Sequence, residues 1–212
     1  MNQKTFFVII YVKNGKVKEG EHLQIFLLNT NDFSDYNFNL CISLMGEKRR
    51  KYINSLKHQK AKLLSVAAEW LIKNEVSKFL NKNIEDITIF KDQKGKPYLK
   101  DIPLHISISH SGDYAAAAFD FTPIGIDIEL IRQIDTRLKN RICTQNDLIF
   151  MNTSQNPKEE NLNLLKIWTA KEAYFKMIGT GITDFKSISY EDINLTHTFK
   201  DSLIITTVTK NT

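Results

Sequence analysis

The chain has 212 residues, of which 42% are hydrophobic and 25% are charged, and its formal net charge is +5. This composition is ordinary for a globular protein, so wholesale disorder is excluded, and the low Gly and Pro content excludes a fibrous architecture. The longest apolar run, residues 6–12, is far shorter than the roughly 20 residues of a membrane helix, and no cleavage site follows it. The two cysteines do not make a disulfide framework or a four-ligand zinc site. We therefore predict a soluble, cytoplasmic protein with no membrane partner.

The first half of the chain is predicted to form a hairpin followed by a long helix. Residues 5–12 and 22–28 are β-branched runs on either side of a turn around Gly15 and Gly20. From about residue 47 the pattern becomes helical, and apolar residues three and four apart predict an amphipathic helix of about 20 residues. These apolar residues are Leu64, Ala68, Leu71, Ile72, Val76 and Phe79. A strand over 87–90 and a turn at 95–98 complete this half.

The second half is predicted to contain strands, then helices, then strands again. Its elements are, in order, strands over 104–109, 114–119 and 124–130, helices near 134–141 and 161–177 with a polar loop at 151–160 between them, and strands near 186–194 and 198–209. Strands followed by helices, twice, predict an α+β fold of two similar α/β subdomains related by pseudo-two-fold symmetry. We place the N-terminal subdomain at 1–103 and the C-terminal one at 104–212. Two similar halves favour a pseudo-dimeric monomer.

A basic segment lies in the first half. Between Ile42 and Lys82 there are ten Lys or Arg residues against three acids, centred on the run Lys48–Lys51. Such a face attracts phosphates or acidic protein partners, although a solvated helix face is the alternative. Nucleic-acid binding is disfavoured, because it calls for aromatic rings interleaved with the basic residues and only Tyr52 lies between Lys48 and Lys62.

The segment G-I-D-I-E at 125–129 is the most informative part of the sequence. In a strand Asp127 and Glu129 project from one face, with Gly125 leaving space beside them, while the isoleucines face the core. Two carboxylates about 4 Å apart repel by about 4 kcal/mol at an effective dielectric constant near 20, and a divalent cation would neutralise them. Oxygen ligands of this kind suit magnesium. The alternative is two solvated acids at a strand edge.

Two further segments carry candidate site residues. On the helix near 161–177, Trp168, Glu172 and Lys176 share one column, and large rings beside an acid and a lysine indicate a site more than a surface ion pair. The segment Ser107–Gly112 is the end of a strand that runs into a glycine turn, which suits phosphate binding. A nucleophilic triad is disfavoured there, because neighbouring residues on a strand point in different directions.

Taken together, these motifs carry a family resemblance. G-I-D-I-E lies about 40 residues before W-x-x-K-E-A-x-x-K, with I-S-H-S and then G-K-P upstream of both. The chain resembles a 4′-phosphopantetheinyl transferase of the Sfp type over about residues 46–190. The resemblance implies transfer of the phosphopantetheine arm from coenzyme A to a serine of an apo acyl or peptidyl carrier protein, with release of 3′,5′-ADP and a requirement for Mg²⁺.

The resemblance also assigns roles to individual residues. It implies that Asp127, Glu129 and Glu172 bind the metal, that Glu172 is the base for the serine hydroxyl and that Lys176 assists the departing phosphate. The residues that it implies for coenzyme A are Lys48, Lys51, Lys96, Ser109, His110, Lys171 and Lys176, with Lys62 near a contact position. The carrier would be acidic and would serve fatty acid, polyketide or nonribosomal peptide biosynthesis. A relative that binds coenzyme A without catalysis is the remaining alternative.

Overall fold

The computed structural model describes residues 8–10, 24–181 and 184–210. The helices and strands are β1 (Val8–Ile10), β2 (Gln24–Asn29), α1 (Asp35–Ser43), α2 (Glu47–Ser55), α3 (Gln59–Leu80), β3 (Ile89–Lys91), β4 (Pro97–Leu99), β5 (His105–Ser111), β6 (Tyr114–Asp120), β7 (Ile124–Leu130), α4 (Arg137–Ile142), α5 (Gln145–Met151), α6 (Pro157–Ile178), β8 (Leu195–Lys200) and β9 (Leu203–Thr209). Among these described residues, no helix is long and apolar enough to cross a membrane.

The first sheet has the antiparallel order β1-β2-β6-β5. Its inner strand β6 is a run of four alanines and Phe119, and small side chains on both faces let it pack between two layers. On one face lies the 22-residue helix α3, and Phe26 stacks on Phe119 with ring centroids 5.5 Å apart. The periodicity of α3 and the strand at β6 were both predicted correctly.

The second sheet has the order β7-β9-β8 and packs against the opposite face of the first. The isoleucines of β7 meet Ile25 and Leu27 of β2 between the two sheets. Helix α6, also 22 residues long, covers the outer face of the second sheet. The result is a four-layer arrangement of helix, sheet, sheet and helix, in which each long helix lies on the outside of its own sheet.

This architecture confirms the predicted α+β class and the arrangement in two subdomains. The sheet pairing places β5 and β6 in the same sheet as β2, so the chain passes between the sheets at residues 121–123. The hydroxyl groups of β5 also bond to β7, as described below. The subdomain limits of 1–103 and 104–212 stay a prediction.

Several predicted elements differ from the observed ones. Residues 186–194 are not a strand but carry two 3-10 turns, Phe185–Ser187 and Tyr190–Asp192. The polar stretch at 151–160 is not wholly a loop, because α6 begins at Pro157, a residue suited to the first helical turn, after the N-cap residue Asn156. The short helices α1 and α5 were not predicted. Of the predicted N-terminal hairpin, β1 and β2 pair antiparallel, while the turn around Gly15 and Gly20 lies outside the described residues.

Candidate active site

The site begins where α6 crosses β7. A Cβ atom on Gly125 would lie 1.8 Å from the Ala173 carbonyl oxygen and 2.8 Å from the Met177 backbone nitrogen. Only glycine lets the helix backbone come this close to the strand. The expectation that Gly125 leaves open space beside the acids is therefore wrong: the helix fills that space, and this close approach brings Glu172 and Lys176 next to the acidic face of β7.

Asp127 and Glu129 share one face of β7, as the alternation predicted, and each accepts a hydrogen bond from a serine of β5. The Ser109 hydroxyl donates to Asp127 Oδ1 at 2.8 Å, and the Ser111 hydroxyl donates to Glu129 Oε2 at 2.8 Å. Only 5% of Asp127 is exposed. The alternative of two solvated acids at a strand edge is thus excluded for Asp127.

Lys176 completes a three-membered polar cluster with Asp127 and Ser109. Its ammonium lies 2.7 Å from Asp127 Oδ1 and 2.9 Å from Ser109 Oγ. The second carboxylate oxygen, Asp127 Oδ2, is buried and has no hydrogen-bond partner among the described residues. A buried carboxylate oxygen without a partner is costly, so it marks a place where a cation or a donor group would be stabilised.

Glu172 lies on the same helix column as Lys176, one turn earlier. Burial raises the pKa of Glu172 to about 7, the nearby Asp127 carboxylate adds to this increase, and the Lys176 ammonium opposes it. A carboxylate whose pKa lies near neutral pH is well suited to accept a proton from an alcohol and to release it again.

A cavity of about 260 Å³ opens beside this cluster and is lined by residues of both halves. Lys91, Lys94 and Lys96 line it from the β3–β4 hairpin, and α6 contributes Glu172 and Lys176. Burial lowers the pKa of Lys96, and its ammonium donates a hydrogen bond to the Met177 carbonyl oxygen near the end of α6. Three lysines at one cavity give it the positive charge that an anion such as a di- or triphosphate would require.

The other residues predicted to contact coenzyme A are found at different distances from this cavity. His110 is an exposed neighbour of the cluster, and partial burial of its ring followed by the Lys176 charge lowers its pKa. Lys48 and Lys51 are exposed on α2, where Lys51 pairs with Glu47 at 2.6 Å. Lys62 is half-buried on α3.

Helix α2 is joined to the cavity through an aromatic contact. The Arg49 guanidinium carbon and the Lys91 ammonium lie 5.1 and 6.0 Å from the centroid of the Tyr52 ring. Arg49 also bonds Glu69 of α3 at 2.7 Å. The basic face of α2 therefore lies beside the lysine-lined hairpin, although its lysines do not line the cavity.

Lys171 is placed away from the cavity. It is fully buried, and its ammonium donates to Asp147 Oδ2 at 2.5 Å and to the carbonyl oxygens of Ile142 and Phe185 at 2.7 and 2.9 Å. An ammonium group has three donors, and these three acceptors use them all. Burial alone would raise the pKa of Asp147, but hydrogen bonds from Lys171 and from two backbone N–H groups lower it overall. We therefore leave Lys171 out of the proposed coenzyme A contacts.

Sequence reasoning missed several site residues. Lys91 and Lys94 belong to the lysine-rich segment before G-K-P, and this local charge was a usable indication. Ser111 belongs to the I-S-H-S motif, in which the resemblance implies roles only for Ser109 and His110. A second cavity of about 540 Å³ adjoins Glu129 on the other side of the acids, and its lining includes Trp168 and the arginines Arg132, Arg137 and Arg141.

The three acids predicted to bind magnesium have suitable chemistry but are not gathered around one point. In the part of the chain that the structure describes, no three His, Cys, Asp or Glu side chains are close enough together to hold a metal ion. Magnesium commonly takes only one or two carboxylates and completes its coordination with water and substrate phosphates. The buried, unpartnered Asp127 Oδ2 is a ligand atom of the right kind, so the residues present fit such an ion.

Comparison with known proteins identifies the family. The sequence model described as the 4′-phosphopantetheinyl transferase superfamily matches residues 123–211, and that described as 4′-phosphopantetheinyl transferase, N-terminal, matches residues 32–122. The two matches are in tandem and meet between the sheets. The chain belongs to the 4′-phosphopantetheinyl transferase superfamily.

Individual relatives place it with the Sfp-type members. The chain is 28% identical to 4′-phosphopantetheinyl transferase gsp of Aneurinibacillus migulanus over 74% of its length, and 26% identical to 4′-phosphopantetheinyl transferase Sfp of Bacillus subtilis over 67%. The matches cover 66% and 63% of those two proteins, just under two thirds. A holo-[acyl-carrier-protein] synthase of Streptococcus agalactiae is 33% identical over 39% of this chain and 71% of its own. The predicted resemblance is confirmed.

Proposed function

We propose that this protein transfers the 4′-phosphopantetheine group from coenzyme A to a serine hydroxyl of an apo carrier protein and releases 3′,5′-ADP. One observation carries the proposal: Asp127, Glu172 and Lys176 meet beside a cavity lined by Lys91, Lys94 and Lys96. The cavity suits the phosphates of coenzyme A, and the cluster suits chemistry on a diphosphate. The names of the relatives support the same activity.

The reaction needs a base, and Glu172 is the residue that we assign to this role. The carrier serine oxygen forms a bond to the phosphorus that bears the pantetheine arm, and the bond from that phosphorus to the bridging oxygen breaks. Glu172 accepts the hydroxyl proton, for which its pKa of about 7 is suitable. The electron pair of the broken bond leaves with the 3′,5′-ADP phosphate.

Lys176 and the hairpin lysines stabilise the negative charge on the diphosphate and on its departing half. Lys176 is held in place by Asp127 and Ser109, so its ammonium is already oriented before the substrate arrives. We assign Lys96 and His110 to the phosphates as well. Lys48 and Lys51, beside the hairpin on α2, are assigned to the 3′-phosphoadenosine end.

We propose Mg²⁺ as the metal cofactor at the acids Asp127, Glu129 and Glu172. Because the three are not gathered around one point in the described residues, Asp127 and Glu129 would ligate the ion directly, and Glu172 would stay free to act as the base. When bound, it neutralises part of the diphosphate charge and so makes the phosphorus easier to attack. The buried, unpartnered Asp127 Oδ2 supports this assignment. The Ser111 hydroxyl donates to Glu129 Oε2 and so holds that oxygen in place.

The carrier protein is proposed to be acidic and to approach from the second cavity. The exposed Arg132 and Arg141 lie around apolar residues next to Glu129, which suits an acidic helix with an apolar face. Arg137 also lines this cavity but pairs with Asp135. The basic face of α2 is a second candidate for this contact. We propose further that the protein acts in the cytoplasm as a pseudo-dimeric monomer, without nucleic acid.

Intact-mass spectrometry of an apo carrier protein incubated with coenzyme A, Mg²⁺ and the enzyme tests the proposal. We expect the carrier to gain one phosphopantetheine group and 3′,5′-ADP to appear in equal amount. A panel of fatty acid, polyketide and peptide carriers that all keep their apo mass would contradict the proposal and favour a coenzyme A-binding protein without catalysis.

The Glu172→Gln variant tests the assignment of the base. It keeps the shape of the side chain and removes its basicity, so we expect turnover to fall by about 10²- to 10⁴-fold. Glu160→Gln is the matched control, because Glu160 is exposed on the same helix and pairs only with Lys139 in the described residues. Near-normal turnover in Glu172→Gln would refute the assignment.

A further inference from the structure

Three serines at alternate positions of β5 form a ladder along the edge of β7. The backbone N–H groups of Ile126, Ile128 and Leu130 donate to the hydroxyl oxygens of three serines at 3.0, 3.3 and 3.2 Å. The serines are Ser107, Ser109 and Ser111, in that order. Since β7 pairs with β9 through its other edge, these hydroxyls take the place of a neighbouring strand's carbonyl oxygens.

Two serines of the ladder also donate a hydrogen bond from their hydroxyl group to a carboxylate. Ser109 donates to Asp127 and Ser111 to Glu129, each at 2.8 Å. Each of these two serines thus accepts a hydrogen bond from a backbone N–H of β7. Its hydroxyl donates to the carboxylate of the preceding β7 residue. This geometry fixes the direction of the hydroxyl hydrogen and, through it, the orientation of the carboxylate.

The Ser109 hydroxyl has no free hydrogen-bonding position for a substrate. A hydroxyl group has one donor and two acceptor positions. Ser109 donates to Asp127 and accepts from the Ile128 N–H and from the Lys176 ammonium at 2.9 Å, and only 6% of the residue is exposed. A phosphate oxygen is an acceptor and would need the one proton that Asp127 already receives.

We propose that Ser109 and Ser111 are positioning residues, which act through Asp127 and Glu129 rather than by contacting coenzyme A. Ser109 holds Asp127 Oδ1 together with Lys176, and this leaves the buried Oδ2 as the carboxylate oxygen without a partner among the described residues. Ser111 does the same for one oxygen of Glu129. This inference rests on the proposed function for its kinetic readout, and a structural readout tests it separately.

The kinetic test compares Ser109→Ala with the conservative variant Ser109→Thr. Loss of a group that orients a metal ligand commonly lowers activity 10- to 100-fold. We expect kcat of Ser109→Ala to fall by about this factor while KM for coenzyme A changes less than about twofold, and we expect Ser109→Thr to recover most of the loss. A raised KM with unchanged kcat would identify Ser109 as a phosphate contact and overturn the inference.

Ser111→Ala is the second variant, in case Ser109→Ala does not fold. Ser111 is half-buried at the end of the ladder, so its loss disturbs the packing less. We expect the same split, a lower kcat and an unchanged KM for coenzyme A. Calorimetric coenzyme A affinity equal to that of the wild type would verify that each variant keeps its binding site.

Crystal structures of the wild type and of Ser109→Ala give the readout that does not depend on activity. We expect the Asp127 carboxylate and the Lys176 ammonium to move by more than about 0.5 Å, the tolerance of a working catalytic geometry. Unmoved side chains would overturn the inference even if the enzyme is active. Conversely, a wild type that modifies no carrier would refute the proposed function while leaving this structural comparison valid.

Discussion

At the scale of single residues, the groups packed around an ionisable side chain in this protein determine its pKa and its partner. Glu172 and Lys176 lie one turn apart on α6, yet the acid has its pKa raised to about 7 and the lysine pairs with Asp127 of another element. His197 of β8 is a second example, remote from the cavity. Its ring lies between the Tyr190 hydroxyl at 3.0 Å and the Thr206 hydroxyl at 2.8 Å.

We expect the buried His197 ring to make the folded protein less stable in mild acid. Burial, and then the Lys166 charge, lower its pKa to about 4 from the usual 6.5. The unfolded chain therefore binds the extra proton first, and stability present above pH 6.5 is lost as the pH falls toward 4. Between pH 7.5 and pH 5 we expect this group to lower the free energy of unfolding by about 2 kcal/mol.

Urea unfolding at the two pH values checks this prediction. His197→Gln is the comparison, because it cannot titrate, and its free energy of unfolding should depend less on pH by the same amount. An identical pH dependence in both proteins would show that the folded and unfolded states bind a proton at His197 equally well.

At the scale of elements, the contact between α6 and β7 sets the geometry of the site. The helix backbone lies against the strand at Gly125, and this contact determines how close Glu172 and Lys176 come to Asp127. A second attachment of α6 is the buried ion pair between Lys171 and Asp147, which ties the helix to α5. The two contacts lie on different faces of α6. Together they fix the distance of the helix from β7 and its rotation about its own axis.

Gly125→Ala tests the close approach. The added Cβ would meet the Ala173 carbonyl oxygen at 1.8 Å, and because both partners are backbone, the helix must move away. We expect a loss of about 3 kcal/mol or more in unfolding free energy and a turnover at least about tenfold lower. Thermal unfolding and the carrier assay measure the two effects.

Gly46→Ala is the matched control for this change. Gly46 precedes α2 with φ of −64°, and a Cβ there would have nothing within 4 Å. We expect this variant to lose at most about 1 kcal/mol in unfolding free energy, since alanine is a poorer N-cap residue than glycine, and to keep the turnover of the wild type. If Gly125→Ala behaved as Gly46→Ala does, the contact between α6 and β7 would not be what sets the site.

Lys171→Met distinguishes a structural lysine from a substrate contact. Removing one partner of a buried ion pair leaves the other charge uncompensated and commonly costs about 3–5 kcal/mol. We expect Lys171→Met to lose about this much, and the double variant Lys171→Met/Asp147→Asn to lose less, because no unpaired charge remains. Chemical unfolding of the single and double variants measures the coupling. A stable Lys171→Met with a raised KM for coenzyme A would instead support the phosphate contact that the resemblance implied.

At the scale of the whole molecule, two cavities adjoin the acids, one at Glu172 and one at Glu129. The cavity at the hairpin has lysines from one subdomain and α6 from the other, so it exists only when the two subdomains are packed together. The cavity at Arg132, Arg137 and Arg141 lies on the far side of Glu129 within the second subdomain. Under the proposed function, coenzyme A would approach from the first side and the carrier protein from the second.

Charge reversals on each side should therefore separate the two substrates. We expect Lys94→Glu to raise KM for coenzyme A about tenfold with little change for the carrier, and Arg141→Glu to do the opposite, because each removes attraction for one polyanion only. Both residues are exposed, so folding should be unaffected. Steady-state kinetics with each substrate varied in turn measures both constants. Two variants with the same pattern would mean that both substrates share one cavity.

The sequence by itself determined the periodic features of this protein and the chemistry that they carry. Alternation in β7 put Asp127 and Glu129 on one face, and the four-residue spacing in α6 put Glu172 and Lys176 on one column, because strand and helix periods are properties of the local backbone. The same reasoning located α3 and the alanine strand β6. The strand predicted over 186–194 was wrong, since a short apolar run does not by itself distinguish a strand from two tight turns.

Only the tertiary structure decided what lies against each of those faces. Gly125 was assigned open space and instead receives a helix backbone, Ser109 has its hydroxyl filled by three protein partners, and Lys171 is turned away from the cavity into a buried ion pair. Ser109 and its partners Asp127 and Lys176 are 18 and 67 residues apart. A local period states which side a residue faces, but its partner is set by long-range packing, which no spacing along the chain contains.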